Sequence, residues 1–136
     1  MAIYKEVNMR AIKFRAWKSW RKSTMLYSGQ FDIKWSAEIG RYQAIDRTRF
    51  DSQWDMPLMQ YTGLKDKNGN EIYEGDILAT SQRDVFFEVV YGWNGDGNTY
   101  GWNYKSLKRP KHRIYSMDKP DRLEIIGNIY ENPELL

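Results

Sequence analysis

The sequence predicts a mainly β protein: a small, barrel-like, strongly curved antiparallel sheet with at most one or two short helices. Three observations predict it. Apolar and polar residues alternate with period two through most of the chain. Glycine and Asn-Gly or Asp-Gly pairs punctuate those runs at short intervals. No convincing stretch repeats apolar residues at the helical spacing i, i+3, i+4, i+7, beyond one weak candidate. Many short strands joined by glycine turns must curl or close to protect their edges.

Taken in order, residues 11–17 (AIKFRAW) set Ile12 and Phe14 against Lys13 and Arg15, the pattern of a strand with one wet face, and Trp17 continues the polar row. After a polar turn at 18–24, Met25-Leu26-Tyr27 returns, and Phe31-Asp32-Ile33-Lys34-Trp35 alternates again. Residues 36–56 are charged and irregular, with scattered Ile39, Tyr42, Ile45, Phe50 and Trp54, and a short helix or long loop is expected there. A hairpin follows over 58–79, where Asn68-Gly69 supplies the positive φ angles of a tight turn and Glu74-Gly75-Asp76 punctuates before Ile77-Leu78-Ala79. A second hairpin runs from Val85 to Trp93 and returns from Thr99 to Tyr104. A two-residue turn at Asp96-Gly97 would pair Trp93 with Tyr100, Tyr91 with Trp102 and Val89 with Tyr104; a turn at Asn94-Gly95 would shift the partners but keep the five aromatics on one face. Leu123 to Tyr130 closes the sheet with a kink or bulge at Gly127, and Pro133 ends regular structure.

Composition narrows the chemistry. The 136 residues contain no cysteine and one histidine, His112, which excludes disulfides, thiolate zinc, iron–sulfur clusters and a cysteine nucleophile. No apolar run approaches the roughly 20 residues of a membrane span, and no signal-peptide core is present, so a cytoplasmic protein with no membrane partner is expected. The net charge of +3 is unevenly spread. Residues 1–22 carry seven basic side chains and one acid, 23–104 seven and twelve, 105–122 seven and two, and the last fourteen only three acids. Two basic blocks thus flank an acidic middle, which is either a solvated surface or a site for a polyanion.

Catalytic and metal motifs fail on inspection. His112 lies among Lys108, Arg109, Lys111 and Arg113, whose charges disfavour its cation and suit neither a base nor a ligand. Asp66-x-Asn68-x-Asn70 and Asn94-x-Asp96-x-Asn98 begin like calcium loops but lack the glycine at position six and the acid at position twelve. Asp66, Glu71, Glu74 and Asp76 cluster in sequence, which leaves metal-dependent phosphodiester hydrolysis as a remote reading; Asp32-Ile33-Lys34 stands too early for the common nuclease order. No metal and no cofactor is expected. The one positive constellation is the aromatic hairpin 91–104 running into the basic block 105–122. Trp93 and Tyr100 could stack on bases while Lys105, Lys108, Arg109, Lys111 and Arg113 neutralise phosphates. Because Val85, Phe87 and Val89 share that face, most of its rings are expected in the core, with Trp93 and Tyr100 the exposed exceptions.

Three ordered stretches carry a family resemblance: Met9-Arg10-x-Ile12-Lys13-Phe14-Arg15-Ala16-Trp17; Met59-Gln60-Tyr61-Thr62-Gly63-Leu64-Lys65-Asp66-Lys67-Asn68-Gly69 with Glu71-Ile72-Tyr73-Glu74-Gly75-Asp76-Ile77; and Ile125-Ile126-Gly127-Asn128-Ile129-Tyr130-Glu131-Asn132-Pro133. Together they resemble the YopX family of phage and prophage proteins. The resemblance implies a mainly β, partly barrel-like single domain over 9–136, with residues 1–8 a poorly ordered leader or upstream start, and a phage or prophage origin. It supplies no catalytic residues, and segments 36–56 and 80–122 lie outside its pattern. The function expected is a non-enzymatic binding or assembly module. Its partner would be a second copy, a phage or host protein, or a nucleic acid. Single-stranded nucleic-acid binding through 91–122 is the alternative.

Overall fold

The computed structural model describes residues 11–20, 22–47, 56–108 and 112–136. Residues 1–8, and with them the expected leader, lie outside the described residues, as do Arg109 and Lys111. The chain is mainly β and curled into a half-barrel; among the described residues every strand pairing is antiparallel and the only helical pieces are the 3-10 turns Pro120–Arg122 and Pro133–Leu135. No helix among the described residues is long and apolar enough to cross a membrane.

The first sheet holds β1 (Phe14–Lys18), β2 (Thr24–Tyr27), β5 (Leu58–Lys65) and β6 (Glu71–Tyr73) in the order β2-β1-β5-β6. The second holds β7 (Asp76–Ala79), β8 (Phe86–Trp93), β9 (Tyr100–Ser106), β10 (Ile114–Ser116) and β11 (Glu124–Asn128) in the order β10-β9-β8-β7-β11. A two-stranded ribbon, β3 (Phe31–Ser36) with β4 (Arg41–Asp46), completes the described structure and touches the segment before β5 through a bridge from Ala44 to Met56. The expectation of a short helix or long loop over 36–56 is therefore corrected for 41–46. Gly40, at φ +65°, reverses the chain, and Ala44 and Asp46 turn inward opposite Ile33 and Phe31. The charges of 36–47 obscured that alternation.

Among the described residues two apolar clusters form the core. Ile72, Leu78, Val89, Tyr104 and Leu123 form one, beneath the larger sheet; Ala16, Phe31, Ala44 and Met56 form the other, between β1 and the ribbon. β1 supplies the second correction. Its Arg15–Trp17 row is turned inward: Arg15 is only 4% exposed and Trp17 stacks on Tyr130 at 5.9 Å, whereas Ile12 is 75% exposed and the Lys13 side chain stays partly in water. As a central strand β1 is covered on both faces, by the apolar cluster through Ala16 and by polar partners from β6 and β7 through Lys13 and Arg15.

The closing strand has the expected irregularity. Between Ile125 and Gly127 the register against β7 shifts, placing Ile126 in a bulge. A side chain at Gly127 would run into Asn132, whose Cγ lies 2.6 Å from where a Cβ would stand.

Candidate functional site

The β8–β9 hairpin has the expected register: Trp93 faces Tyr100, Tyr91 faces Trp102 and Val89 faces Tyr104. The turn itself is longer than two residues. Asn94 N–H donates to Thr99 O at 2.8 Å and Gly97 N–H to Asn94 O at 3.0 Å, closing a four-residue loop over 95–98; an even number of loop residues preserves the side-chain parity. Burial falls along the face, from Val89 and Tyr104 in the core to Tyr91, Trp93 and Tyr100 in solvent at 53%, 62% and 55% exposure. The rings form a continuous edge-to-face ladder. Trp93 meets Tyr100 at 5.1 Å, Tyr100 meets Tyr91 at 5.1 Å, and Tyr91 meets Trp102 at 4.8 Å. Trp93 and Tyr100 are exposed as expected, and Tyr91 is a third exposed ring that the sequence left in the core.

The loop leans on β10. Asn94 Nδ2 donates to Ser116 Oγ at 3.2 Å, and any side chain at Gly95 would collide with the Ile114 carbonyl. The oxygens that mimicked a calcium loop are spent on backbone: Asn94 Oδ1 accepts from Asn98 and Thr99, and Asp96 Oδ1 from Asn98.

The basic residues are dispersed. Lys105 is five positions from Tyr100 and points to the opposite face of the sheet from the aromatic row, where its Nζ pairs with Glu88 at 3.3 Å. Lys108 lies beyond it, its Nζ 4.2 Å from the Phe86 ring centre and bonded to the Arg83 carbonyl. Arg113 does come to the tip: it stacks over Tyr115 and lines a recess with Asn94 and Asp96. His112 is an exposed turn residue at φ +65°. In the first basic block, Lys13 pairs with Glu71, Arg15 with Asp76 and Lys18 with Asp46.

Sequence reasoning missed a second constellation, where the two sheets meet. Arg15 of β1 donates through Nη2 to Asp76 Oδ1 at 2.7 Å and to the Glu74 carbonyl at 3.3 Å, with its guanidinium 4.8 Å from the Tyr73 ring centre. Asp76 Oδ2 accepts the Tyr73 N–H at 2.8 Å, and Asn128 of β11 stands directly across from Asp76. These residues floor a recess of about 430 Å³ rimmed by Tyr27, Glu71 and Glu131. Burial pushes the Asp76 carboxyl up, only partly offset by Arg15 and the Tyr73 N–H. Burial and the Glu71 carboxylate push the Tyr73 hydroxyl up to about 12. Glu71 itself is held below the usual carboxylate range by the Lys13 hydrogen bond. The available signal was distribution: all three stretches carrying the family resemblance contribute to this recess, through Arg15, Tyr73 and Asp76, and Asn128.

The four clustered acids do not converge. Asp66 accepts hydrogen bonds from Asn68, Asn70 and, across the sheets, Ile125; Glu71 and Asp76 are ion-paired; Glu74 is half-buried, with its carboxyl pushed up by desolvation. Among the described residues no group of three or more His, Cys, Asp or Glu could hold a metal ion.

Comparison with known proteins adds three findings. A family model described as YopX protein matches residues 13–136. The crystal structure of protein EF1440 from Enterococcus faecalis is similar at 29% identity with a TM-score of 0.58, covering 94% of this chain and 99% of that one. No curated protein matches.

Proposed function

The chain belongs to the YopX family, and from that premise we propose that it is a binding or assembly module that grips a protein partner with the exposed end of its β8–β9 hairpin. The observation that carries this reading is the ladder of Tyr91, Trp93 and Tyr100, three large rings held edge to face and more than half in solvent. Rigid aromatic side chains lose little conformational freedom on contact and dominate the energetics of protein interfaces. The ladder is anchored in the core through Val89 and Tyr104, and its loop is braced by Ser116 and Ile114, so the rings are presented on a fixed support.

The partner is a second copy of this chain or another protein made in the same cell. The test is sedimentation velocity of the full chain, alone and with captured partners, beside Trp93→Ala and Tyr100→Ala variants. The wild type is expected to associate, and each substitution to weaken association by about 2 kcal/mol, roughly 30-fold. A strictly monomeric wild type with no partner, or an assembly indifferent to both substitutions, refutes the reading.

Single-stranded nucleic acid on the same ridge is the second reading, favoured by the placement of Arg113 beside the loop at the ladder's end. It requires binding of an oligothymidylate that quenches tryptophan fluorescence and weakens steeply with salt. Lys105 points to the other face and Lys108 lies at the far end of the hairpin, so this reading rests on fewer cations than the sequence suggested.

A further inference from the structure

The recess between the sheets has the chemistry of a ligand site, separate from the aromatic ridge. Its floor is built: Arg15 and Asn128 are 4% and 7% exposed, and both are fixed by neighbours. Asn128 Oδ1 accepts from the N–H groups of Tyr130 at 3.0 Å and Glu131 at 2.9 Å, which sets the orientation of its carboxamide. That orientation leaves Nδ2, with two donor hydrogens, without a partner among the described residues. Beside it Arg15 is held by Asp76 and Glu74 through Nη2, with its Nε buried and unpartnered. A carboxamide donor that is unpartnered and open at the floor of a recess is placed to meet an acceptor from outside.

The rim has the opposite character. Glu71 and Glu131 bring carboxylates, Asn70 brings a carboxamide, and Tyr27 presents a half-exposed ring packed edge-on against Tyr73. Of the lining carboxylates, Asp76 is paired with Arg15 and Glu71 with Lys13, so the rim's negative charge is concentrated at Glu131. An anion would suit the donors but meet those carboxylates. A cation would suit the rim but meet the guanidinium and the carboxamide N–H groups. A neutral group with a carbonyl at its inner end and an N–H at its outer end satisfies both.

The geometry points to a binding site for a neutral planar amide, a carboxamide or lactam. Its carbonyl accepts from Asn128 Nδ2 beside Arg15, its N–H is directed to Glu131 on the rim, and its plane lies along Tyr27.

Three molecules of nearly one shape separate the possibilities: benzamide, neutral; benzoate, an anion; and benzamidine, a cation. Each is titrated into the full chain and followed by two-dimensional proton–nitrogen NMR, reading the side-chain resonances of Asn128 Nδ2 and Arg15 Nε directly. Benzamide is expected to move both resonances and to bind more tightly than either charged analogue. Asn128→Asp keeps the acceptor for Tyr130 and Glu131 while removing the donors, and is expected to weaken benzamide about tenfold, the equivalent of one lost hydrogen bond. Should that variant fail to fold, Tyr27→Ala on the half-exposed rim is expected to weaken benzamide roughly three- to tenfold. Tighter binding of benzoate or of benzamidine, saturation by none of the three at millimolar concentration, or benzamide binding unchanged in the folded variants overturns the assignment.

Discussion

Replacing Arg15 by Met tests the polar junction between the two sheets. The pair Arg15–Asp76 spans 2.7 Å with side-chain exposures of 5% and 2%, so neither charge has water to fall back on. Met fills much of the arginine stem but removes both Nη2 hydrogen bonds and the contact with Tyr73, leaving Asp76 buried with only the Tyr73 N–H. Removing one partner of a buried ion pair costs about 3–5 kcal/mol. For a chain of this length each kcal/mol is about 3–5 °C in Tm, so a fall of about 10–20 °C is expected by thermal denaturation followed by circular dichroism. The loss is pH-dependent, with a definite sign. Burial already holds the Asp76 carboxyl above its unfolded value, so stability declines as pH rises from the unfolded value through the folded one. Without Arg15 the folded value climbs further and the decline deepens. The cost of Arg15→Met is therefore smallest below the unfolded carboxyl value of about 3.9, where Asp76 is protonated in both states, and grows as pH rises toward 7. Asp76→Asn keeps an acceptor for Tyr73, and the double variant Arg15→Met with Asp76→Asn is expected to recover at least about 2 kcal/mol of the summed single losses. A cost below about 1 kcal/mol, or one that does not change between pH 4 and 7, refutes the claim that this pair is a desolvated junction.

Two further substitutions probe the seams on either side. Asp66→Asn removes the charge from a carboxylate that accepts from Asn68, Asn70 and Ile125. Burial opposes its ionisation, but those N–H groups together outweigh burial and hold its carboxyl below the ordinary value. Its stabilisation is thus present above the unfolded carboxyl value of about 3.9 and lost as pH falls through the folded one. The variant should be about 1–3 kcal/mol less stable at pH 7, with the difference shrinking as pH falls below about 3.9, as read by urea denaturation at each pH. Gly127→Ala forces a methyl group against Asn132 at the bulge and should cost about 1–3 kcal/mol; most of that should return when Asn132→Gly is added, as measured by thermal denaturation.

Much of the fold was legible because strand and turn chemistry is local. The pairing of Trp93 with Tyr100 and the bulge before Gly127 follow from period two and loop parity; the chain also turns at Asn68-Gly69, but there only Gly69 takes a positive φ, in a three-residue loop over 67–69 rather than a turn with both angles positive. The ribbon over 41–46 was hidden because Arg41, Gln43 and Asp46 read as loop, while the partner that makes them a strand, Phe31–Ser36, lies beyond a turn whose residues carry no strong hairpin signal. Arg15 was misplaced for a different reason. An arginine in an alternating strand is water-facing unless a carboxylate about sixty residues away is folded onto it, and periodicity has no access to that distance. The ridge was found from sequence because rings at a hairpin tip have nothing to bury them, whereas the recess was missed because its donors are identified by what they lack.

The junction at Arg15 also orders events in time. The β8–β9 and β3–β4 ribbons close over short loops, but Arg15 and Asp76 are separated by 61 positions and Asp66 and Ile125 by 59. Loop-closure entropy makes such contacts the most expensive to reach early. The intervening chain holds β2 to β6 in the first case and β6 to β10 in the second, so both contacts await the gathering of several strands. The two sheets are therefore expected to lock to each other after each has acquired its hairpins, at the same polar seam that shapes the recess between them.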